Sequence, residues 1–577
     1  MKKIYRSLLL LVISLFLLSS FILVAQLFNT DFGKIKVESV RIRGDKISVS
    51  GYLYEPKNAE NLENLPAVVL IHGVMNAKET MTPLALELAR NGIVALSIDA
   101  LQHGSTIGEA TPEDDPSLGG STAVDYLRSL DYVNSSNIGL VGHSMGVGAI
   151  RATSQIVGGI RAHIFLGGIG SNSTLEYGNL NQTSPSNLLV VIGLYDELFD
   201  LQEVNEILQP VFGTTEEIEI GKLYGTFTNG TARKLITPKT THLFEPISGD
   251  YIAESVLWLS DSFGIIDEHK AILYPYRDLF LFFGFFIFAF QFLPFSNVGF
   301  EISFFRVHSK KEETIKESIA FNQLFGFWSI GATWSFSHLI LFIPAILLFG
   351  MRAVIIPLSL GLTAIFWMLL LTVVGSLIIV ISIKIKHKGI GTKQMFLQLG
   401  KKLSNWRDLL LALNCFLIML ILVLIIEQVP GISMKLMVPL FNEFTGIRAL
   451  MFLVLIPFMF IYFIMDGFIS TGIYEKKLKG NNKRAKIWSA TKVTGLKLLP
   501  LILVLLIQYL PLLISGFQLF TGFLGFSMQF IFILLPLFLI YSVATLWFYE
   551  KTKTIETGAL FSALLFAWTL STLLPIN

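Results

Sequence analysis

Cysteine is almost absent. Cys415 is the only one in the chain, and it stands inside an apolar run. A single thiol excludes an intrachain disulfide and a cysteine-built metal site. Charge is scarce too, at 15% Asp, Glu, Lys and Arg, and the two signs nearly cancel to a net +2. So even a balance offers no basic surface, and nucleic acid is not expected as a partner. The nine histidines form no cluster with metal-ligand spacing. Neither a metal nor any other cofactor is expected.

What is there instead is apolar. Hydrophobic residues make up 53% of the chain, and the mean hydropathy is +0.64. Such a composition belongs to an integral membrane protein. The average hides a division. Residues 31–270 have ordinary globular composition, whereas 271–577 are long apolar runs separated by short basic loops. The expected organisation is an N-terminal transmembrane signal-anchor over 1–30, a globular domain over 31–270 and a membrane domain of about eight helices over 271–577.

At the N-terminus Lys2, Lys3 and Arg6 precede an apolar stretch from Leu8 to Phe28. It is long enough to span a bilayer and has no A-x-A-like exit. This reads as an uncleaved anchor rather than a cleaved signal peptide. Further apolar runs lie at about 279–298, 324–349, 353–383, 409–430, 449–470, 498–516, 524–548 and 558–575. Counting the anchor, nine membrane helices are expected.

Basic residues alternate between the loops. One set of loops holds Arg306 to Lys316, Lys384 to Arg407, Lys476 to Lys497, and Lys551 with Lys553; the opposite loops are nearly bare. By the positive-inside rule the basic loops and the N-terminus are cytoplasmic. That places the globular domain outside, with the cell membrane as its location. Asn134, Asn172, Asn181 and Asn229 stand in N-x-[ST] triplets of that domain, a pattern that export would require and that a Ser-, Thr- and Asn-rich domain also produces unaided. Ionisable residues within the apolar runs are few: His338, Glu427 and Asp466. The last two stand near run ends, where they are expected to reach water, so a transport path is not the leading reading.

The globular part alternates strand and helix patterns. A hairpin over Val37–Arg43 and Ile47–Leu53 turns at Gly44-Asp45. Strands follow at Ala67–Ile71, Ile93–Ile98, Ile138–Val141, Ile164–Leu166, Leu188–Ile192 and Ala232–Ile236. Helical patterns lie at Thr82–Asn91, Thr122–Tyr132, Leu201–Leu208 and Tyr251–Ser260. Alternation of this kind predicts a mostly parallel sheet covered on both faces, with ligands at the carboxyl ends of its strands.

The stretch "NIGLVGHSMGVGAI" contains G-x-S-x-G over Gly142 to Gly146. With 46 glycines in the chain the pattern arises by accident easily, so its context must decide. A nucleophile elbow needs a buried strand before the serine and a closely packed helix after it. Ile138 to Val141 is such a strand, and Met145 to Ile150 are small or apolar.

From Ile35 to Phe263 the chain resembles the α/β-hydrolase superfamily, nearest its dienelactone-hydrolase and acyl-peptide-hydrolase-like branches. "VVLIHG" is similar to that superfamily's strand followed by His-Gly. "SIDALQHGST" is similar to its D-x-x-G-H-G-x-S element, with Gln102 where glycine is common and Thr106 where serine is. "VVIGLYDELFD" resembles the strand and turn that deliver the acid, and "TTHLFEP" the loop that delivers the histidine. The fold class implied is α/β: a doubly wound, mostly parallel α/β-hydrolase sheet, joined to an all-α polytopic transmembrane bundle.

The chemistry explains the residue types. A serine hydroxyl is a weak nucleophile until a neighbouring base takes its proton. Histidine titrates near neutral pH, and a carboxylate fixes its tautomer. Ser144, Asp196 and His242 supply the order nucleophile, acid, histidine expected of this superfamily. Asp200 and Glu197 rival Asp196; His269 and His163 rival His242. The resemblance assigns the oxyanion-stabilising amides to Val74 and Met145. His72 and His103 are read as shaping the site, and Asp99 as capping a strand end. Gly170 to Asn187 is too short and polar for a large cap, "GKLYGTFTNGTARK" reads as an added hairpin, and Glu109 to Asp115 as a solvated acidic loop.

The function expected is a membrane-anchored serine hydrolase that cleaves an ester, thioester or peptide bond through an acyl-enzyme on Ser144. Its substrate would be a small-molecule, lipid-like or peptide one; acyl transfer is a variant of the same chemistry. The rival is a transporter, or a membrane sensor or assembly protein, whose hydrolase-like domain only binds. Neither reading explains eight helices after the domain.

Overall fold

The structure, a computed structural model, describes residues 2–169, 180–265, 270–306, 327–349, 358, 361–386, 406–434, 440–477 and 482–576. Its first half is built on a nine-stranded sheet: β1 (Ile35–Arg43), β2 (Ile47–Pro56), β3 (Leu65–Ile71), β4 (Val94–Ile98), β5 (Ile107–Gly108), β6 (Val133–His143), β7 (Ala162–Leu166), β8 (Leu188–Val191) and β9 (Arg233–Ile236). The spatial order is β1-β2-β4-β3-β6-β7-β8-β9, with β5 beside β2. Strand β2 is antiparallel to β1, β4 and β5, whereas β4 to β9 along that path run parallel. Every strand expected from the sequence is present, and two-residue β5 is an addition. "GKLYGTFTNGTARK" folds back on itself: Tyr224 and Arg233 exchange both backbone hydrogen bonds in an antiparallel bridge, and the Thr231 amide donates to Thr226 O at 3.1 Å, a short turn-back in place of an extended two-stranded hairpin.

Alternation builds two cores from one strand. In β3, Ala67, Val69 and Ile71 face one apolar cluster, and Val68 and Leu70 face the other. Helices α3 (Gly120–Arg128), α4 (Met145–Val157) and α5 (Leu201–Phe212) cover the first face. Helices α2 (Thr82–Arg90) and α6 (Gly249–Phe263) cover the second. Asp200 caps α5 by accepting the amides of Gln202 and Glu203, and Gly213 ends it at φ 70°.

The other half is helical. It comprises α1 (Lys2–Asn29), then α7 (Tyr274–Ala289), α8 (Phe292–Glu301), α9 (Phe327–Phe349), α10 (Gly361–Lys386), α11 (Trp406–Ile426), α12 (Arg448–Lys477), α13 (Lys483–Ser515), α14 (Gly522–Thr552) and α15 (Glu556–Leu573). Among the described residues, seven stretches are helical, long and apolar enough to cross a membrane: α1, α7 with α8, and α10 to α14. This suggests a membrane protein. The sequence reading gives nine. Within the runs at 324–349 and 558–575 the described residues form α9 (Phe327–Phe349) and α15 (Glu556–Leu573), which fall outside those seven. In α15 the hydroxyls of Thr569, Ser571 and Thr572 bond carbonyls of their own helix, and most of the helix is buried by its neighbours. A helix enclosed by other helices need not be apolar all round.

Two sequence expectations fail inside the bundle. Asp466 does not reach water, and Lys497 is not a loop cation. Asp466 is 1% exposed within α12, and its carboxylate lies 2.5 Å from Lys497 Nζ on α13. The indole of Trp334 donates to the same carboxylate at 3.0 Å. Helix α13 starts well before the apolar stretch seen in the sequence, which puts Lys497 within the helix, opposite Asp466 in the interior.

The helical half packs on the α/β half through polar joints. Tyr54 donates to Asn29 at 2.9 Å, the Tyr274 amide to Glu87 at 2.9 Å and Ser105 to Glu443 at 2.6 Å. Buried Arg448 donates to the carbonyls of Leu574 at 2.7 Å and Gln102 at 3.1 Å.

Candidate active site

Strand β6 ends at His143 and α4 begins at Met145, so one residue makes the whole turn. That residue is Ser144, with φ 52° and ψ −113°. A non-glycine residue at such angles stores about 1–3 kcal/mol of strain. Here the flanking glycines make the turn possible. A Cβ on Gly142 would stand 2.2 Å from the Gly146 carbonyl oxygen, and one on Gly146 would stand 2.3 Å from that of Ile71. The Ser144 amide donates to Leu166 O at 2.8 Å, which ties the turn to β7.

Asp196 follows β8 on a turn closed by its own amide to Gly193 O at 3.0 Å. His242 opens a short 3-10 turn after β9. The two loops are stitched together, the Tyr195 amide donating to Thr240 O at 3.0 Å. As a result His242 Nδ1 lies 2.8 Å from Asp196 Oδ2, and its Nε2 lies 3.0 Å from Ser144 Oγ. The carboxylate holds the imidazole proton on Nδ1, which leaves Nε2 to accept from the serine hydroxyl. Asp196 and His242 are each 2% exposed, while Ser144 is half-buried.

The rivals lie elsewhere. Asp200 is the α5 cap. His163 bonds Ser186 O and Ser154 Oγ, and His269 lies outside the described residues. So does 170–179, the larger part of the segment read as too short for a cap. Asp99 accepts the amide and Nζ of Lys78 at 2.8 and 2.7 Å and the Ser105 amide at 2.9 Å. Buried His72 accepts the Ala100 amide at 3.1 Å, and burial pushes both His72 and His103 down, His103 to about 3. These three organise the loops beside the site. Of Glu109 to Asp115, none lines the cavity at Ser144.

That cavity, ≈ 30 Å³, has walls from both halves. Gly73, Val74, His143 and His242 join Ser144 from the α/β half; Phe526, Gln529, Phe530 and Ile533 come from α14. Val74 thus stands at the site. Met145 is the first residue of α4, so its amide has no partner within the helix.

Two buried acids escaped the sequence reading or were misread by it. Glu245 accepts the Gly193 amide on Oε1 at 2.6 Å, and its Oε2 lies 3.9 Å from His242 Nδ1. Burial first, and the neighbouring Asp196 second, push its carboxyl well above the usual range. Its position three residues after His242 on a short turn was the available signal. Glu197, weighed only as a rival acid, instead faces the bundle. Its carboxylate accepts Tyr509 Oη at 2.6 Å, Gln529 Nε2 at 3.1 Å and the His242 amide at 3.2 Å. Burial raises its pKa while the Tyr509 bond opposes the rise. Gln518 donates to Asp196 O at 2.6 Å. Ligand atoms of His143, His242 and Glu245 come within 4.8 Å of one another. Because His242 Nδ1 faces Asp196 at hydrogen-bond distance, that nitrogen carries a proton and does not suit a metal.

No family model matches the chain. A stretch of 117 residues, 20% of the chain, is 32% identical to the uncharacterized protein YcjY of Escherichia coli (strain K12) and spans 38% of that protein's length. Among solved structures, the Pyrococcus furiosus esterase Pf2001 aligns with 40% of this chain and 94% of its own, at 16% identity and a TM-score of 0.30. A cold-adapted esterase from an Arctic intertidal metagenomic library aligns with 39% of this chain and 93% of its own, at 22% identity and a TM-score of 0.28.

Proposed function

We infer that the protein is a membrane-held serine hydrolase of α/β-hydrolase type. The observation that carries this is the unbroken hydrogen-bonded line from Ser144 through His242 to Asp196, starting at a serine with a strained positive φ. Ser144 Oγ attacks the carbonyl carbon of an ester, thioester or peptide bond and gives its proton to His242 Nε2. Asp196 stabilises the imidazolium. The amides of Val74 and Met145 receive the oxyanion, at about 10²–10³ in rate per donor. The leaving group departs with the proton from His242. Water, deprotonated by the same nitrogen, then releases the acid and restores Ser144.

The asymmetry of basic loops supports a catalytic domain outside the cytoplasm, over 31–270, between the anchor and the bundle. The test is labelling of intact cells with a membrane-impermeant fluorophosphonate. Wild type should label and Ser144→Ala should not. Labelling only after lysis would keep the enzyme and reverse the orientation. A folded protein that labels in neither state would favour a domain that only binds.

A further inference from the structure

The cavity at Ser144 ends on Phe530 and Ile533 of α14. The same two side chains line a second cavity, ≈ 60 Å³, deeper in the bundle. Its other walls include Phe342 of α9, Ala364 and Trp367 of α10, Leu537 of α14 and Leu573 of α15. The few polar groups in the wall are engaged. Trp367 Nε1 donates to His338 O at 2.8 Å, and Thr569 Oγ1 to Leu565 O at 3.0 Å. An apolar cavity without hydrogen-bonding demand stays dry and takes apolar ligands.

The two spaces lie along one helical stripe. Phe526, Phe530, Ile533 and Leu537 are spaced i, i+4, i+7 and i+11, which puts them on one face of α14. From first to last the stripe rises about 16 Å. The apolar face of α14 therefore continues from the wall of the Ser144 cavity to the wall of the second cavity, with Phe530 and Ile533 shared between them.

Resting on the hydrolase reading above, we propose that the second cavity holds the aliphatic chain of an acyl ester whose carbonyl stands at Ser144. Phe530 and Ile533 form the partition past which the chain runs. The substrate class is then an ester of a medium or long aliphatic acid rather than a peptide. The helices α9, α10, α14 and α15 are its chain-binding site, a role beyond anchoring.

The experiment uses the full chain in lipid nanodiscs, with p-nitrophenyl acetate, butyrate, octanoate and decanoate as substrates. An ethoxy fluorophosphonate reports in parallel whether Ser144 is assembled. The kcat/KM of wild type should rise about fourfold per buried methylene until the space is full. Ala364→Phe, which fills the second cavity, should lower the octanoate-to-acetate ratio tenfold or more. Leu537→Ala, which enlarges it, should move the optimum to a longer chain. A flat chain-length profile in wild type with Ser144 labelled would overturn the proposal and leave the hydrolase reading standing. So would an unchanged profile in both variants with Ser144 labelled. If a variant does not label, the wild-type profile decides. No labelling and no turnover in wild type would remove the hydrolase reading, and the proposal with it.

Discussion

Ser144, His242 and Asp196 lie 98 and 46 positions apart in the chain, and each was legible because a strand end delivers it. Glu245 offers one signal, its place three residues after His242, but nothing in "THLFEP" says that its carboxyl turns inward. Its raised pKa has a measurable consequence. A carboxyl whose folded pKa lies above the unfolded value contributes stability that is full below 4.5 and is lost as pH rises towards the folded value. The unfolded chain gives up its proton first, so ionisation favours unfolding across that window. Glu245→Gln stays neutral at every pH and keeps an acceptor for the Gly193 amide. As pH rises above 4.5 wild type should lose more Tm than the variant. Parallel losses in thermal melts would show that Glu245 is ionised in the folded protein.

Helices and strands differed in how well the sequence revealed them. Buried strands such as β3 and β4 are short apolar runs bounded by polar turns, and they fall where expected. Helix α13 shows in the sequence only as an apolar run over 498–516 but starts at Lys483. Its basic first turns looked like a loop because composition marks hydropathy, not helix ends. The pairing of Asp466 with Lys497 between α12 and α13 followed from that same extension. Breaking a buried pair leaves an uncompensated charge, at a cost of about 3–5 kcal/mol. Lys497→Met should therefore lower the Tm of the detergent-solubilised protein sharply. Adding Asp466→Asn should recover most of the loss. If the double variant is no more stable than the single one, the pair is not a closed unit.

Across the whole molecule, the acid loop is held from two sides. Asp196 points to His242, while Glu197, the next residue, is gripped by Tyr509 and Gln529 of the bundle. Tyr509→Phe leaves a buried carboxylate oxygen without its donor, which costs about 1–3 kcal/mol. It should also lower kcat more than it changes KM, because it loosens the loop that positions Asp196 and removes no substrate contact. An unchanged kcat would show that the Tyr509 contact does not position Asp196. By itself the sequence determined the division into an α/β part and an apolar helical part, the strand order of delivery and the three residues that meet at the site. Those follow from local periodicity and from motifs a few residues long. Only the tertiary structure decided that α14 walls the site, that Glu197 faces the bundle and that a charged pair lies inside it. The charged pair joins residues 31 positions apart and the others join residues more than 300 apart, and neither hydropathy nor spacing carries information across those distances.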